Sequence, residues 1–279
     1  MRHTARAVLV LTALALAACG DDSPATDAPD TSDTLAPIPT AYDYATGPDD
    51  VVIEVGYEGG FVPQELLFTR TPVVMVTGDG RALTTGPVPE IHPGPLLPNL
   101  LERSIMAAGT QTLLARADEL GLLADVSYTR NDRIADAADT VVTITIDGTT
   151  YRHEAYALGM DVEDDPARAN LAEFVAAMSD LPTTVGADEL GPEQPFATDQ
   201  YLIKASRVDP ATLSTDVEPT IVPWPADAPV RLAAADVCAD VPVAEFEPLF
   251  AGATTLTFFT EADVTYAVSA VPQVPGRTC

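Results

Sequence analysis

The chain has 279 residues, with 14 Lys and Arg against 42 Asp and Glu, and its formal net charge at pH 7 is −28. So negative a surface repels nucleic acid and anionic lipid headgroups, and we expect neither as a partner of the folded surface. Hydrophobic residues make up 47% of the chain, which is enough for an ordinary globular core.

The N-terminal segment predicts export. Arg2 and Arg6 precede the apolar run AVLVLTALALAA, which is typical of a signal peptide over residues 1–18 and is too short to span a bilayer. The junction LAAC, ending at Cys19, resembles the lipobox of bacterial lipoproteins. That resemblance implies cleavage before Cys19, a diacylglycerol on its sulfur, and a location on the extracytoplasmic face of the cell membrane. The alternative is a soluble secreted protein in which Cys19 lies near an ordinary cleavage site.

The mature chain is predicted to begin with a tether. Residues 19–48 are rich in Asp, Pro, Thr and Ala and poor in large apolar residues, so we expect them to be disordered. Ordered structure is expected as an α+β domain over 49–209 and a C-terminal β-rich segment over 210–279, which packs on the first domain or stands apart from it. The Pro-rich passage EPTIVPWPADAP is the expected seam between the two.

The first predicted elements of the folded part are a strand, a hairpin and a helix. VVIEVGY (51–57) has the alternation of a strand. VVMVTGDGRALTTG then predicts a hairpin, because Asp-Gly at 79–80 suits a type I′ turn. QTLLARADELGLL (111–123) predicts an amphipathic helix capped by Thr110.

A second hairpin, a second helix and a last group of strands follow. TVVTITIDGTTYRHEAYALG turns at 147–148, and a helix is predicted from Pro166 to Leu181 with Asp164 or Asp165 as its cap. TDQYLIKASRV predicts a strand and TTLTFFTEADVTYAVSAV a third hairpin. The pattern favours an α+β fold, with a mainly antiparallel sheet built from hairpins and two packing helices.

Two cysteines remain once Cys19 is assigned to the anchor. Cys238 and Cys279 would lie in an oxidising compartment after export, where thiols tend to pair, so we predict a disulfide that closes the C-terminal β-rich segment. A metal site is not expected from two cysteines so far apart with no histidine nearby.

Several short stretches carry a resemblance to known sequences. YEGGFVP, TGDGR, HPGPLLP and YALG resemble a group of uncharacterised secreted lipoproteins of actinobacteria, over most of residues 50–200. The resemblance implies a secreted lipoprotein and brings no established activity and no catalytic residues.

His92 and His153 are the only histidines of the mature chain and are the candidate catalytic residues. His92 lies in the proline-stiffened loop PEIHPGPLLP, where Glu90 could orient it as a general base. The alternative is a turn histidine bonded to local carbonyls. The turn at 147–148 would pair Val142 with His153 and place it on the face that carries Ile144, which favours a structural histidine over a base.

Acidic clusters and known motifs give no cofactor or metal prediction. DDSPATDAPDTSD, NDRIADAAD and DVEDDP lack the spacing of a calcium loop, and we interpret them as tether, solvated surface and helix cap. The sequence has no nucleophile elbow, P-loop, dinucleotide fingerprint or zinc-protease motif. Carboxylate pairs remain open, because 42 acids always place some side chains close together.

These observations lead to three functional hypotheses of different classes. The first is a lipid-anchored envelope protein that acts as a non-enzymatic binding or assembly module. Its partner would be a protein or a small molecule of the cell envelope. The second is an envelope hydrolase that uses His92 with a nearby carboxylate. The third is a carrier of a hydrophobic small molecule, which would need a large apolar cavity.

Overall fold

A computed structural model describes residues 41–160, 165–213 and 217–279. The predicted signal peptide, Cys19 and the predicted tether up to residue 40 lie outside these residues, as does the acidic stretch 161–164. The described part is α+β, with two largely antiparallel sheets, which confirms the predicted fold class.

The first sheet has seven strands in the order β6-β5-β1-β2-β3-β4-β7. In chain order its strands are β1 (Val51–Gly59), β2 (Val74–Thr77), β3 (Arg81–Thr85), β4 (Leu100–Ser104), β5 (Ala138–Ile146), β6 (Thr149–Tyr156) and β7 (Gln194–Pro195). All of its pairs are antiparallel. The predicted β5–β6 hairpin is confirmed in register: Asp147 and Gly148 both have positive φ, as a type I′ turn requires.

The second sheet has five strands in the order β10-β8-β12-β11-β9. They are β8 (Gln200–Val208), β9 (Thr220–Pro223), β10 (Ala239–Pro242), β11 (Thr257–Glu261) and β12 (Val264–Pro272). The predicted third hairpin is β11–β12, and β9 joins β11 as a parallel pair. The sequence assigned β8 to the first domain, up to residue 209, but β8 pairs with β10 and β12. The division between the sheets therefore falls between Pro195 and Gln200.

Within the described ranges, five α-helices accompany the two sheets. They are α1 (Gln64–Phe68), α2 (Ala107–Glu119), α3 (Pro166–Ser179), α4 (Leu181–Val185) and α5 (Val243–Phe250). The two long helices, α2 and α3, are the two that the sequence predicts. Helix α3 begins as expected, with Pro166 in its first turn and the Asp165 side chain accepting from the Arg168 amide. Helix α2 begins at Ala107, three residues before the expected cap, and Thr110 is buried inside it.

One face of the first sheet is buried beneath α2 and α3. Ile53, Val55, Val142 and Ile144 are at most 1% exposed and belong to one core cluster with Phe174 of α3. We call this side of the sheet the closed face. Residues at the intervening positions of the same strands point to the opposite side, the open face, because side chains alternate along a strand.

The second sheet has its own, more aromatic core. Its aromatic rings form a connected cluster, in which neighbouring ring centroids lie 4.9–6.3 Å apart; the cluster consists of Tyr201, Trp224, Phe246, Phe250 and Phe259. Trp224 comes from the Pro-rich passage that the sequence treats as a seam, and its indole nitrogen donates to the Val230 carbonyl. That passage is therefore part of the second core.

The end of the predicted tether is ordered against the first sheet. Tyr42 and Tyr44 pack on its core cluster, and the Tyr42 backbone exchanges two hydrogen bonds with the Gln111 side chain of α2. The predicted boundary at residue 48 is thus too late, because two tyrosines in four residues supply enough apolar surface to hold the segment 41–48. The described residues from 41 to 279 form one compact unit.

The predicted disulfide is present. Cys238 and Cys279 are bonded, with their Cα atoms 5.4 Å apart. The bond connects the segment before β10 with the last residue of the chain, which follows β12. It therefore closes the C-terminal segment and fixes the position of residues 273–279.

Candidate functional site

His153 lies on the closed face as the hairpin register predicts, and it is 1% exposed. Its Nε2 donates to the Leu122 carbonyl at 2.8 Å, and its Nδ1 accepts from the Tyr128 hydroxyl at 2.8 Å. Burial lowers the pKa of His153, so the neutral ring is favoured. Both ring nitrogens are used within the core, so this geometry offers no free nitrogen to a substrate.

His92 is exposed and stands away from both cavities described below. No hydrogen bond or ion pair joins its ring to Glu90 or to another residue of the described ranges. The loop around it packs on the second sheet instead, through the buried side chain of Leu96, whose amide donates to the Ala253 carbonyl at 2.9 Å. No carboxylate of the described residues lies within hydrogen-bond or ion-pair distance of the His92 ring. The fold therefore does not supply the partner that the hydrolase hypothesis needs.

The acidic clusters do not form a metal site in the described ranges. No group of three or more His, Cys, Asp or Glu side chains is arranged to hold a metal ion there. Of DVEDDP only the last two residues are described, and Asp165 caps α3. NDRIADAAD lies between α2 and β5, where Asn131 is buried and its Oδ1 accepts from the Arg133 amide at 3.2 Å.

A cavity of about 770 Å³ lies over the open face of the first sheet. Its floor is formed by β1, β5 and the adjoining strands. Its walls are the N-terminal segment 45–50, the turn after α1 and the C-terminal tail 274–278. This volume is within the usual range for small-molecule sites. The cavity is therefore one of two places where the described chain offers room to a small ligand.

Glu54 occupies the floor of this cavity. It lies at the centre of β1, where its neighbours across the strands are Met75 and Thr143. No hydrogen bond or ion pair from a described residue reaches its carboxylate, although the side chain is half-buried. Burial raises the pKa of Glu54, and the nearby Glu58 raises it further, whereas Arg277 and Arg152 oppose the rise.

Arg152, on β6, lies on the open face in the same cross-strand row as Glu54, with Thr143 of β5 between them. Its Nη2 donates to Glu58 at 2.9 Å and to Glu154 at 3.1 Å, so two carboxylates share this guanidinium. Arg70, in the turn after α1, donates to the Tyr57 carbonyl at 3.4 Å. Both arginines are thus held by partners other than Glu54.

The C-terminal tail supplies the third guanidinium of the cavity. Arg277 donates from Nη1 to the Arg70 carbonyl at 2.7 Å and from Nη2 to the Phe68 carbonyl, and burial lowers its pKa. Gly276 has φ +74°, and a Cβ there would lie 3.2 Å from Val51, so a glycine lets the tail pass close over β1. The disulfide at Cys279 then holds the end of the tail.

A second cavity, of about 880 Å³, lies on the other side of the first sheet, between α2, α3 and α4. Its lining is dominated by small side chains, and Ala41 and Tyr42 of the N-terminal segment form part of its wall. Arg116, at its rim, is paired with Glu119 and Glu173. This cavity is an apolar groove and has no unpartnered charge comparable with Glu54 among the described side chains.

Sequence reasoning did not find Glu54, Arg152 or Arg277. A signal for Glu54 is present in the sequence, because it is the only charged residue in the apolar run VVIEVGY. A charge at the centre of such a strand points to a face that is not packed against a core. No local signal marks Arg277, which reaches the cavity only because the tail folds back.

Comparison with known protein families, curated proteins and solved structures finds no match to this chain. In the part of the chain that the structure describes, none of the helices has the length and apolar character needed to cross a bilayer.

Proposed function

We propose that this protein is a lipid-anchored, extracytoplasmic binding module that holds a small ligand in the cavity over the open face. The lipobox-like junction at Cys19 and the preceding apolar run support the anchor and the compartment. A structural disulfide between Cys238 and Cys279 is consistent with export, because such bonds persist in oxidising compartments. The binding role is carried by the cavity.

The observation that carries the proposal is the unpartnered carboxylate of Glu54. A half-buried ionised group without a hydrogen bond disfavours folding, so a residue of this kind is one that a packing argument does not explain. Its position at the floor of a cavity of about 770 Å³ gives it an explanation, since a ligand would complete its hydrogen bonds. At such a site, a residue that serves ligand binding is expected to lower the stability of the protein without its ligand.

The anchor is tested by fractionation of cells that express the full chain. The wild-type protein should partition with membranes, and Cys19→Ser should appear in the soluble fraction or remain unprocessed. Mass spectrometry of the mature N-terminus should find an acylated Cys19. An unmodified Cys19 on a membrane-free protein would reject the anchor and leave the binding role standing.

The binding role is tested by a thermal-shift screen of small molecules against the mature protein. Ligands of this cavity should raise the melting temperature of the wild type and not that of Glu54→Gln. Glu65→Gln is the matched control, because Glu65 is exposed on α1 and does not line the cavity. If every stabilising compound raises the melting temperature of the wild type and of Glu54→Gln equally, the cavity is not the binding site.

A carrier of hydrophobic molecules is the second candidate, and the apolar groove between α2 and α3 favours it. Ala176 lines that groove and is exposed, so Ala176→Trp should fill it without disturbing the core. If the groove binds apolar molecules, a solvatochromic dye should lose fluorescence with this variant and keep it with Glu54→Gln. The opposite pattern favours the cavity over the open face.

A further inference from the structure

We infer that the ligand of the cavity over the open face is a small organic cation, a protonated amine on an apolar body, with Glu54 as its counter-ion. This inference rests on the proposed function and specifies the class of ligand. The polar groups of the cavity differ in whether they already have a partner, and Glu54 is the half-buried carboxylate that has none.

The arginines of the cavity are already engaged. Arg152 is shared by Glu58 and Glu154, Arg277 donates to two backbone carbonyls, and Arg70 donates to a third. An anionic ligand would have to share these guanidinium groups with the partners that they already hold. The cavity therefore does not present a free guanidinium pair of the kind that binds carboxylate or phosphate in a fork geometry.

The carboxylates of the cavity also differ in whether they have a hydrogen-bond partner. Asp50 accepts from the Gly47 amide at 2.8 Å, Glu58 accepts from Arg152, and Asp49, which has no such bond, is exposed to solvent. Glu54 accepts from no described residue, and neither Arg152 nor Arg277 forms an ion pair with it. Glu54 is therefore the half-buried carboxylate of this cavity that lacks a hydrogen-bond donor. A positively charged donor would stabilise its ionised form best.

The charges around the cavity favour a cation as well. Asp49, Asp50, Glu54 and Glu58 line it against three arginines, and Glu154 pairs with Arg152 at its margin. The whole chain carries a formal net charge of −28, which raises the local concentration of cations around the molecule. A bare metal ion is a poorer fit, because the described residues form no ligand cluster.

The rest of the lining accommodates an apolar body. Met75, Val141, Val274 and Leu67 line the cavity beside Glu54, and Leu67 is 39% exposed at its margin. An alkyl or cycloalkyl ammonium would place its charge at Glu54 and its carbon skeleton against these side chains, where burial of apolar surface is favourable.

The experiment compares ligands that differ only in their polar group. Isothermal titration of the mature, disulfide-bonded protein is carried out with cyclohexylmethylamine, cyclohexylmethanol and cyclohexanecarboxylate. We expect the amine to bind at least about tenfold more tightly than the alcohol, the advantage of a charged over a neutral hydrogen bond, and the carboxylate not to bind. Glu54→Gln should remove that advantage, and Glu65→Gln should keep it.

The pH dependence provides an independent readout. Amine binding requires the ionised form of Glu54, so affinity should fall as pH is lowered through its raised pKa. The charged groups that line the cavity with Glu54 are Asp49, Asp50, Glu58, Arg70, Arg152 and Arg277. Glu54→Gln should show a flatter profile than the wild type.

The two proposals fail in different ways. If the amine binds no better than the alcohol, or the carboxylate binds best, the ligand class is wrong. The binding role stands in that case if the thermal-shift screen still finds compounds that depend on Glu54. If neither the screen nor the titration finds a Glu54-dependent ligand, the proposed function is wrong and the ligand class fails with it.

Discussion

The two faces of the first sheet are built from the same strands and have opposite characters. On the closed face Ile53, Val142 and Ile144 are fully buried beneath two helices. On the open face the alternate positions carry Glu54, Thr143 and Arg152 around a cavity. Packing accounts for the closed face completely, whereas the open face holds a half-buried carboxylate that packing does not explain. The difference indicates where stability and where function reside.

The C-terminal tail is the element that makes the open face a cavity instead of a bare surface. Val274 is buried against Met75 and Leu83 of the sheet, and Arg277 reaches the carbonyls after α1. The tail contributes no residue to the core cluster of the closed face. The two faces should therefore respond differently when the tail is released.

The largest expected effect is that of removing the disulfide. The cysteines are 41 positions apart, and the chain-entropy model assigns such a closure about 4 kcal/mol. Cys238→Ser/Cys279→Ser, or reduction of the wild type, should lower the melting temperature by roughly 10 °C. Trypsin should then cleave after Arg277, because the freed tail leaves the sheet, while β12 remains protected between β8 and β11.

Two results would contradict this picture of the tail. Titration of two free thiols in the exported protein would mean that the bond does not form there. Identical tryptic fragments with and without reductant would mean that the tail stays on the open face without it. The strands of the first sheet, whose closed face stays packed beneath α2 and α3, should resist trypsin in either condition.

The second prediction concerns His153 on the closed face. His153→Ala leaves the Leu122 carbonyl and the Tyr128 hydroxyl without their partners and opens a space in the core. We expect a loss of about 3 kcal/mol in the free energy of unfolding, measured by urea denaturation. His92→Ala is the matched control and should change stability by less than about 0.5 kcal/mol, because His92 is exposed.

The pH dependence of the wild type tests the same residue. Burial lowers the pKa of His153 below the ordinary value of 6.5. Its contribution to stability is therefore present above pH 6.5 and is lost as pH falls through the lowered folded pKa. The denaturation midpoint of the wild type should fall over this range, and that of His153→Ala should fall less. Equal slopes would mean that His153 is not neutral in the folded state.

The sequence predicts the closed face well because the information there is local. The turn at Asp147-Gly148 sets the register that pairs Val142 with His153, and alternation then assigns the face. The stripe that contains Leu171, Phe174 and Met178 likewise gives α3. Each of these features depends on residues within a few positions of one another.

The open face and the second sheet depend on contacts that local patterns do not contain. Strand β8 pairs with β12 across more than fifty residues, so its sheet is not evident from its own sequence. Glu54 and Arg277 meet in one cavity only through the path of the tail. The alternation in β1 shows that Glu54 lies opposite Ile53, but which face the helices cover is decided by the packing of α2 and α3.

The third prediction weakens the wall of the cavity without touching the disulfide. Arg277→Met keeps an apolar stem of similar length and removes the donors to the Phe68 and Arg70 carbonyls. We expect a loss of about 1–2 kcal/mol in the free energy of unfolding, since partly buried carbonyls lose charged donors. Arg207→Met, exposed on β8, should have no comparable effect. If the two variants are equally stable, the guanidinium does not hold the tail.

The smallest expected effect is that of replacing Glu54, which should raise the free energy of unfolding instead of lowering it. This change of sign separates the open face from the closed face most sharply. The folded-state pKa of Glu54 is raised above its ordinary value of 4.5, with burial as the largest cause. A raised carboxyl pKa favours folding only while the group is protonated, and that contribution is lost as pH rises through the folded pKa. At pH 7 the ionised Glu54 therefore destabilises the fold, and Glu54→Gln should increase the free energy of unfolding by roughly 1 kcal/mol. The gain should shrink as pH is lowered toward 4, where the wild-type side chain becomes neutral, and Glu65→Gln should show no such trend. Urea denaturation of the three proteins at pH 7 and pH 4 measures it. A Glu54→Gln protein that is less stable than the wild type at pH 7 would mean that the carboxylate serves the fold, and the open face would then be a packed surface like the closed one.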